Sequence, residues 1–170
     1  MRRAPETNEN EWRQYYRLLR THPGQYLRIA DDTIRQFPED PQGYLDCVTY
    51  WMHFEQYDCA LCDIDTALSL EDDADTRFDR GVVLRCLGRY QEAIADFDRI
   101  AAEPGDWTIE INRAACHARL GNLEAALADC ERLPEDYCRP GPHGALGGTK
   151  SQIIETVHRL AVEAQVSQHA

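Results

Sequence analysis

A spacing of small and large apolar residues that returns every 33 positions constrains this 170-residue chain more than any other feature. Within the stretch from Gly81 to Ile100, the residues Gly81, Leu84, Leu87, Tyr90, Ala93, Phe97 and Ile100 fall at steps of three and four, with Gly88-Arg89 between the two halves. Such steps place side chains on one face of an α-helix, and a glycine at the break separates two helices. Moving 33 positions on, the same places hold Ala114, His117, Leu120, Leu123, Ala126, Cys130 and Leu133; moving 33 back, they hold Val48, Trp51, Phe54, Tyr57, Ala60, Ile64 and Ala67. One hairpin of two short helices cannot bury its apolar face alone, so a chain patterned this way stacks hairpins into an array.

The punctuation sets the boundaries. Residues 1–9 read as a disordered polar terminus, and the repeat region runs over 10–133 as a divergent hairpin at 10–37 followed by hairpins at 41–70, 74–102 and 107–133. Asp40 can cap the second hairpin, and Pro41 at the first helical position forfeits no hydrogen bond. Gly121-Asn122 turns the last hairpin and Pro134 stops it. A Pro- and Gly-rich linker covers 134–148, and a final helix spans 149–165, opened by Thr149 and Gln152 in the pattern of a capping box. Its apolar stripe of Ile153, Ile154, Val157, Leu160, Ala161 and Ala164 needs a partner. The simplest is the open end of the last hairpin, which makes this a capping helix. Folding back into a groove and pairing with a second copy are the alternatives.

The same residues resemble the tetratricopeptide repeat (TPR) family. Leu87-Gly88-Arg89-Tyr90-Gln91-Glu92-Ala93-Ile94 reads almost as the consensus, and Gly121-Asn122-Leu123-Glu124-Ala125-Ala126 follows it one unit later. The unit at 41–73 matches through Tyr57, Ala60 and Ala67 but carries Glu55 where glycine is usual. The period also equals that of ankyrin repeats, whose T-P-L-H signature is absent. The resemblance implies an all-α, TPR-like superhelical solenoid of antiparallel helix hairpins with a C-terminal capping helix. It further implies that the first helix of each hairpin lines a concave groove. Carried over residue by residue, that groove holds Trp12 and Tyr16, then Leu45, Thr49, Met52 and His53, then Phe78, Val82 and Arg85, then Ile111, Asn112 and Arg119. The Lys and Asn clamp with which some TPR proteins hold a terminal carboxylate is largely missing. What remains is a mainly apolar floor for an extended or helical segment, unless part of it is inter-repeat core or is covered by the C-terminal segment.

Charge narrows the partner. A net charge of −12 disfavours phosphate backbones and anionic lipid, both of which select clustered Lys and Arg. Nucleic acid and membrane are therefore not expected, and a protein or peptide is. The acidic pairs Asp63 and Asp65, Asp96 and Asp98, and Asp129 and Glu131 recur in register, either as a ridge that attracts a basic partner or, the preferred reading, as a solvated outer face. No apolar run approaches the roughly 20 residues that cross a bilayer, so the chain is expected in the cytoplasm. The seven cysteines, irregularly spaced, suit buried side chains in a reducing compartment. Cys59-x-x-Cys62 lies within a helix with no second pair, which favours a structural role over redox or metal chemistry. Near Lys150 the phosphate-loop pattern fails, because Thr149 stands where glycine is required.

No catalytic set, metal site or cofactor is expected. The expected function is a non-enzymatic protein- or peptide-binding adaptor or scaffold, with a small acidic chaperone as a more specific form. The alternative is an accessory or regulatory subunit of an enzyme acting through the C-terminal loop and helix, through which the chain can also self-associate.

Overall fold

A computed structural model describes residues 9–100, 106–139 and 146–168, with the backbone alone described at 9–12, 139 and 168. Of the expected disorder at 1–9, Glu9 is helical as the first residue of α1 and 1–8 lie outside the described residues, as do the end of the third hairpin at 101–102 and the linker residues 140–145. Among the described residues the chain is all-α apart from one short strand pair, β1 (Cys138–Arg139) with β2 (Gly148–Thr149). It divides into two units, Met1–Leu87 and Gly88–Ala170.

The first unit holds α1 (Glu9–Thr21), α2 (Pro23–Gln36), α3 (Pro41–His53), α4 (Tyr57–Leu70) and α5 (Ala74–Cys86), each packed on the next in sequence. Local chemistry fixes the starts. The Asp40 carboxylate accepts from the Gln42 amide at 2.9 Å ahead of Pro41, and Asp73 accepts from the Thr76 amide at 2.9 Å. Leu45, Val48, Ala60, Ile64, Ala67 and Val83 form the core, flanked by Trp51, Tyr57 and Leu87. Where α2 meets α3, a β-carbon on Gly43 would lie 2.8 Å from Ile34 Cγ1, so only glycine permits that approach.

The backbone at the inter-helix turns shows the period itself. Glu55, Gly88 and Gly121, each one full period from the next, have φ of 57°, 76° and 78°. In the first and last of these turns the next amide reaches back five residues, Gln56 N to Trp51 O and Asn122 N to His117 O, both at 2.9 Å. That is the Schellman closure, which needs a left-handed residue and normally takes glycine.

The second unit holds α6 (Tyr90–Phe97), α7 (Thr108–Arg119), α8 (Leu123–Glu131) and α9 (Lys150–Gln168). α7 packs on α6 and α8, and α9 lies against both α7 and α8. Ile153, Val157 and Leu160 of α9 share one core with Ile111, Ala114, Ala115, Ala118, Ala126, Cys130 and Leu133. The capping box forms: Thr149 N donates to Gln152 Oε1 at 2.9 Å, and Gln152 N donates to Thr149 Oγ1 at 3.4 Å. Part of the linker is ordered, since Cys138 and Arg139 pair with Thr149 and Gly148 as two antiparallel strands.

The recurring carboxylates do not form one solvated face. Asp65, Asp98 and Glu131 are exposed, whereas Asp96 and Asp129 are buried and Asp63 is half-buried. Residues two apart on a helix point in different directions, so one member of each pair turns inward. Trp51 Nε1 donates to Asp63 Oδ2 at 2.7 Å. Arg113 donates through Nε and Nη2 to Asp129, at 2.9 and 2.6 Å, and through Nη1 to Asp98 at 2.7 Å.

Candidate partner-binding surface

The residues assigned to a groove divide between open and buried positions. In the first unit Tyr16 and His53 are exposed, and Thr49, Met52, Phe78, Val82 and Arg85 keep part of their surface open. Leu45 is core, and the Thr49 hydroxyl donates to its carbonyl at 3.0 Å. The side chain of Trp12 lies outside the described residues. In the second unit Arg119 is exposed, 3.8 Å from Glu163, but Ile111 and Asn112 are only 4% and 2% exposed. Ile111 is covered because α9 lies on α7 and brings Ile153, Val157 and Leu160 into the core that Ile111 shares. Asn112 spends its amide on the Thr108 carbonyl at 2.8 Å. Neither presents a surface to a ligand in this arrangement.

Aromatic residues that lie outside that set, His53 excepted, build a continuous run from α1 through α2 to the end of α3. Ring centroids lie 4.5 Å apart for Tyr15 and Tyr26, 6.4 Å for Tyr26 and Tyr50, 4.8 Å for Tyr50 and Phe54, and 4.9 Å for Phe54 and His53. Trp51 meets Tyr50 edge-on at 4.9 Å. The run passes from half-buried Tyr15 and fully buried Tyr26 to exposed His53 and to Phe54, which is 41% exposed. Phe54 departs from the buried stripe that its spacing assigns it, because α3 ends at His53 and the next residue leaves the helical path. The Tyr50-x-x-x-Phe54 spacing, an i,i+4 aromatic pair, is the signal in the sequence that marks this contact.

Electrostatics keep the buried end of the run neutral. Burial first, then the Tyr26 hydroxyl and the Asp46 carboxylate, push the Tyr15 hydroxyl far above its ordinary value. Burial does the same to Tyr26. Asp46 itself is held by Gln42 Nε2 at 2.8 Å. The Cys47 thiol is pushed up to about 12 by burial, with Asp63, Asp31 and Asp46 adding to it. Tyr15, Tyr26 and Cys47 therefore stay protonated near neutral pH, and none of the three is an anionic nucleophile there.

In the second unit Arg132 Nη2 lies 3.1 Å from Glu110 Oε1, and Glu110, Arg113 and His117 share one stripe of α7. Among the described residues no group of three or more His, Cys, Asp or Glu side chains is placed to hold a metal ion. No helix among them is long and apolar enough to cross a membrane. No family model, curated protein or solved structure matches this chain.

Proposed function

We propose that the chain is a non-enzymatic protein- or peptide-binding adaptor of the cytoplasm, built on TPR-like helix hairpins, with its recognition surface on α1, α3 and α5. The observation that carries this reading is the aromatic run ending at open Phe54 and His53, beside half-buried Met52. Rigid aromatic side chains already held by their neighbours bind apolar anchors at little entropic cost. The left-handed residue recurring at 55, 88 and 121 supports the TPR-like part of the reading. The net charge of −12 adds long-range attraction for a basic segment, and a small acidic chaperone is one form such an adaptor takes.

The test is capture of a partner from the native host by wild type, by a His53→Ala, Phe54→Ala pair, and by Asp65→Ala, which changes an exposed carboxylate elsewhere. The adaptor reading expects at least a roughly tenfold loss for the aromatic pair alone, the effect of about 1.4 kcal/mol. Equal capture by all three would refute it.

A second reading, an accessory subunit acting through its C-terminal segment, is favoured by Val162 and Val166, which are 59% and 65% exposed on α9. Removing the chain beyond Leu133 would strip Ile153, Val157 and Leu160 from the core, so truncation confounds binding with folding. Val162→Glu with Val166→Glu leaves that core intact. Loss of capture there, with the aromatic pair unaffected, selects the second reading; a change in mass on dilution of the wild type alone identifies the partner as a second copy.

A further inference from the structure

Free cysteine is among the residues most often buried. Cys47, Cys116 and Cys130 follow that rule and Cys86 is half-buried, whereas Cys59, Cys62 and Cys138 are exposed. Cys59 and Cys62 stand three residues apart on α4, and residues at that spacing are neighbours on a helix surface. Regular helix geometry sets their Cα atoms about 5 Å apart, inside the span of a disulfide. Their β-carbons, about 5–6 Å apart on a regular helix, must close to about 4 Å for the bond to form. The turn that carries Cys59 is suited to give way. Cys59 is the third residue of α4, its cap residue Gln56 makes no side-chain capping bond, and Glu55 before it holds the left-handed backbone.

We propose that Cys59 and Cys62 form a redox-active dithiol that small-molecule disulfides oxidise to an intrahelical disulfide. One cysteine sulfur, as its thiolate, attacks a sulfur of the oxidant RSSR, forming a mixed disulfide and expelling RS⁻. The second cysteine, also as its thiolate, attacks the protein sulfur of that mixed disulfide and expels the other RS⁻. The two cysteines lose two protons and two electrons, and the oxidant leaves as two RSH. Cys138 is also exposed, but the other cysteines of its unit, Cys116 and Cys130, are buried. Its reaction stops at the mixed disulfide. This inference is independent of the proposed adaptor function.

The experiment treats the full-length native protein with oxidised glutathione, raised until Cys138 is fully modified, then quenches with acid and reads each cysteine by peptide mass spectrometry. The expected product lacks two hydrogens across Cys59 and Cys62 and carries no glutathione there, while Cys138 carries one. Cys59→Ser and Cys62→Ser each turn the remaining cysteine into a stable glutathione adduct, with an unchanged far-ultraviolet circular dichroism spectrum showing that the variants fold. Glutathione on both Cys59 and Cys62, or free thiols at both once Cys138 is modified, overturns the proposal. So does a bond that appears only in urea sufficient to unfold the chain.

Discussion

Replacing Glu55 with glycine should stabilise the protein by about 0.5–1 kcal/mol. A residue with a β-carbon pays about 1–2 kcal/mol in the left-handed region, and the greater freedom of glycine in the unfolded chain returns about 0.5–1 kcal/mol of that. Glu55 sits there with φ of 57°, its side chain is exposed, and among the described residues it enters no hydrogen bond or ion pair that the substitution would remove. The backbone bond from Glu55 N to Met52 O at 3.3 Å survives the change. Urea denaturation should show a higher midpoint at unchanged slope, and thermal denaturation a rise of about 2–4 °C per kcal/mol for a chain of this size.

The converse substitution isolates the backbone term. A β-carbon on Gly121 would meet only Gln165 Cγ at 3.8 Å, an ordinary contact, so Gly121→Ala carries the strain without a clash and, with the same entropy offset, should cost about 0.5–1 kcal/mol. A neutral or destabilising Glu55→Gly, or a neutral Gly121→Ala, would show that the turns at 55 and 121 do not share this conformation.

Asp129→Asn leaves the Arg113 side chain, 19% exposed, without its bidentate partner and should cost about 3 kcal/mol in urea denaturation. Asp98→Asn, at the exposed end of the same network, should cost less than about 1 kcal/mol. Burial, aided by Arg113 and opposed by Asp129 and Asp98, lowers the His117 pKa below 6.5. The unfolded chain then takes up that proton at a higher pH than the folded one, so the contribution is complete above about pH 6.5 and declines as pH falls below it. His117→Asn should flatten the stability slope between about pH 7 and 5, as read from urea midpoints across that range. Ile153→Ala should cost about 2–5 kcal/mol, because Ile153 is fully buried where α9 meets the core of this unit.

What the sequence made legible was whatever rests on period and local chemistry. Ala60, Ala93 and Ala126 recur at the repeat period and are fully buried, and the Asp40 cap and the Thr149 capping box form from residues close together in the chain. What it hid depends on contacts between distant segments. That α9 would lie on α7 and close over Ile111 is set by side chains from beyond the linker, and a groove position and a core position look alike until the covering helix is placed. The inward turn of Asp63, Asp96 and Asp129 was hidden for another reason. Each stands beside an exposed acid, and only a facing partner such as Trp51 or Arg113 shows which of the two is buried. The aromatic run was obscured at its open end, where Phe54 keeps the spacing of the stripe but lies past the last turn of α3.

The placement of Ile153, Val157 and Leu160 also orders events during synthesis. The apolar cluster of α3, α4 and α5 is complete once Leu87 has left the ribosome, so the N-terminal half can close while translation continues. The core of the other half is completed only by α9, made after Leu133 and the whole of the linker, because Ile153, Val157 and Leu160 belong to the same cluster as Ile111 and Leu133. Between those two moments the second unit lacks part of its core, and exposed apolar surface of that kind favours misassociation.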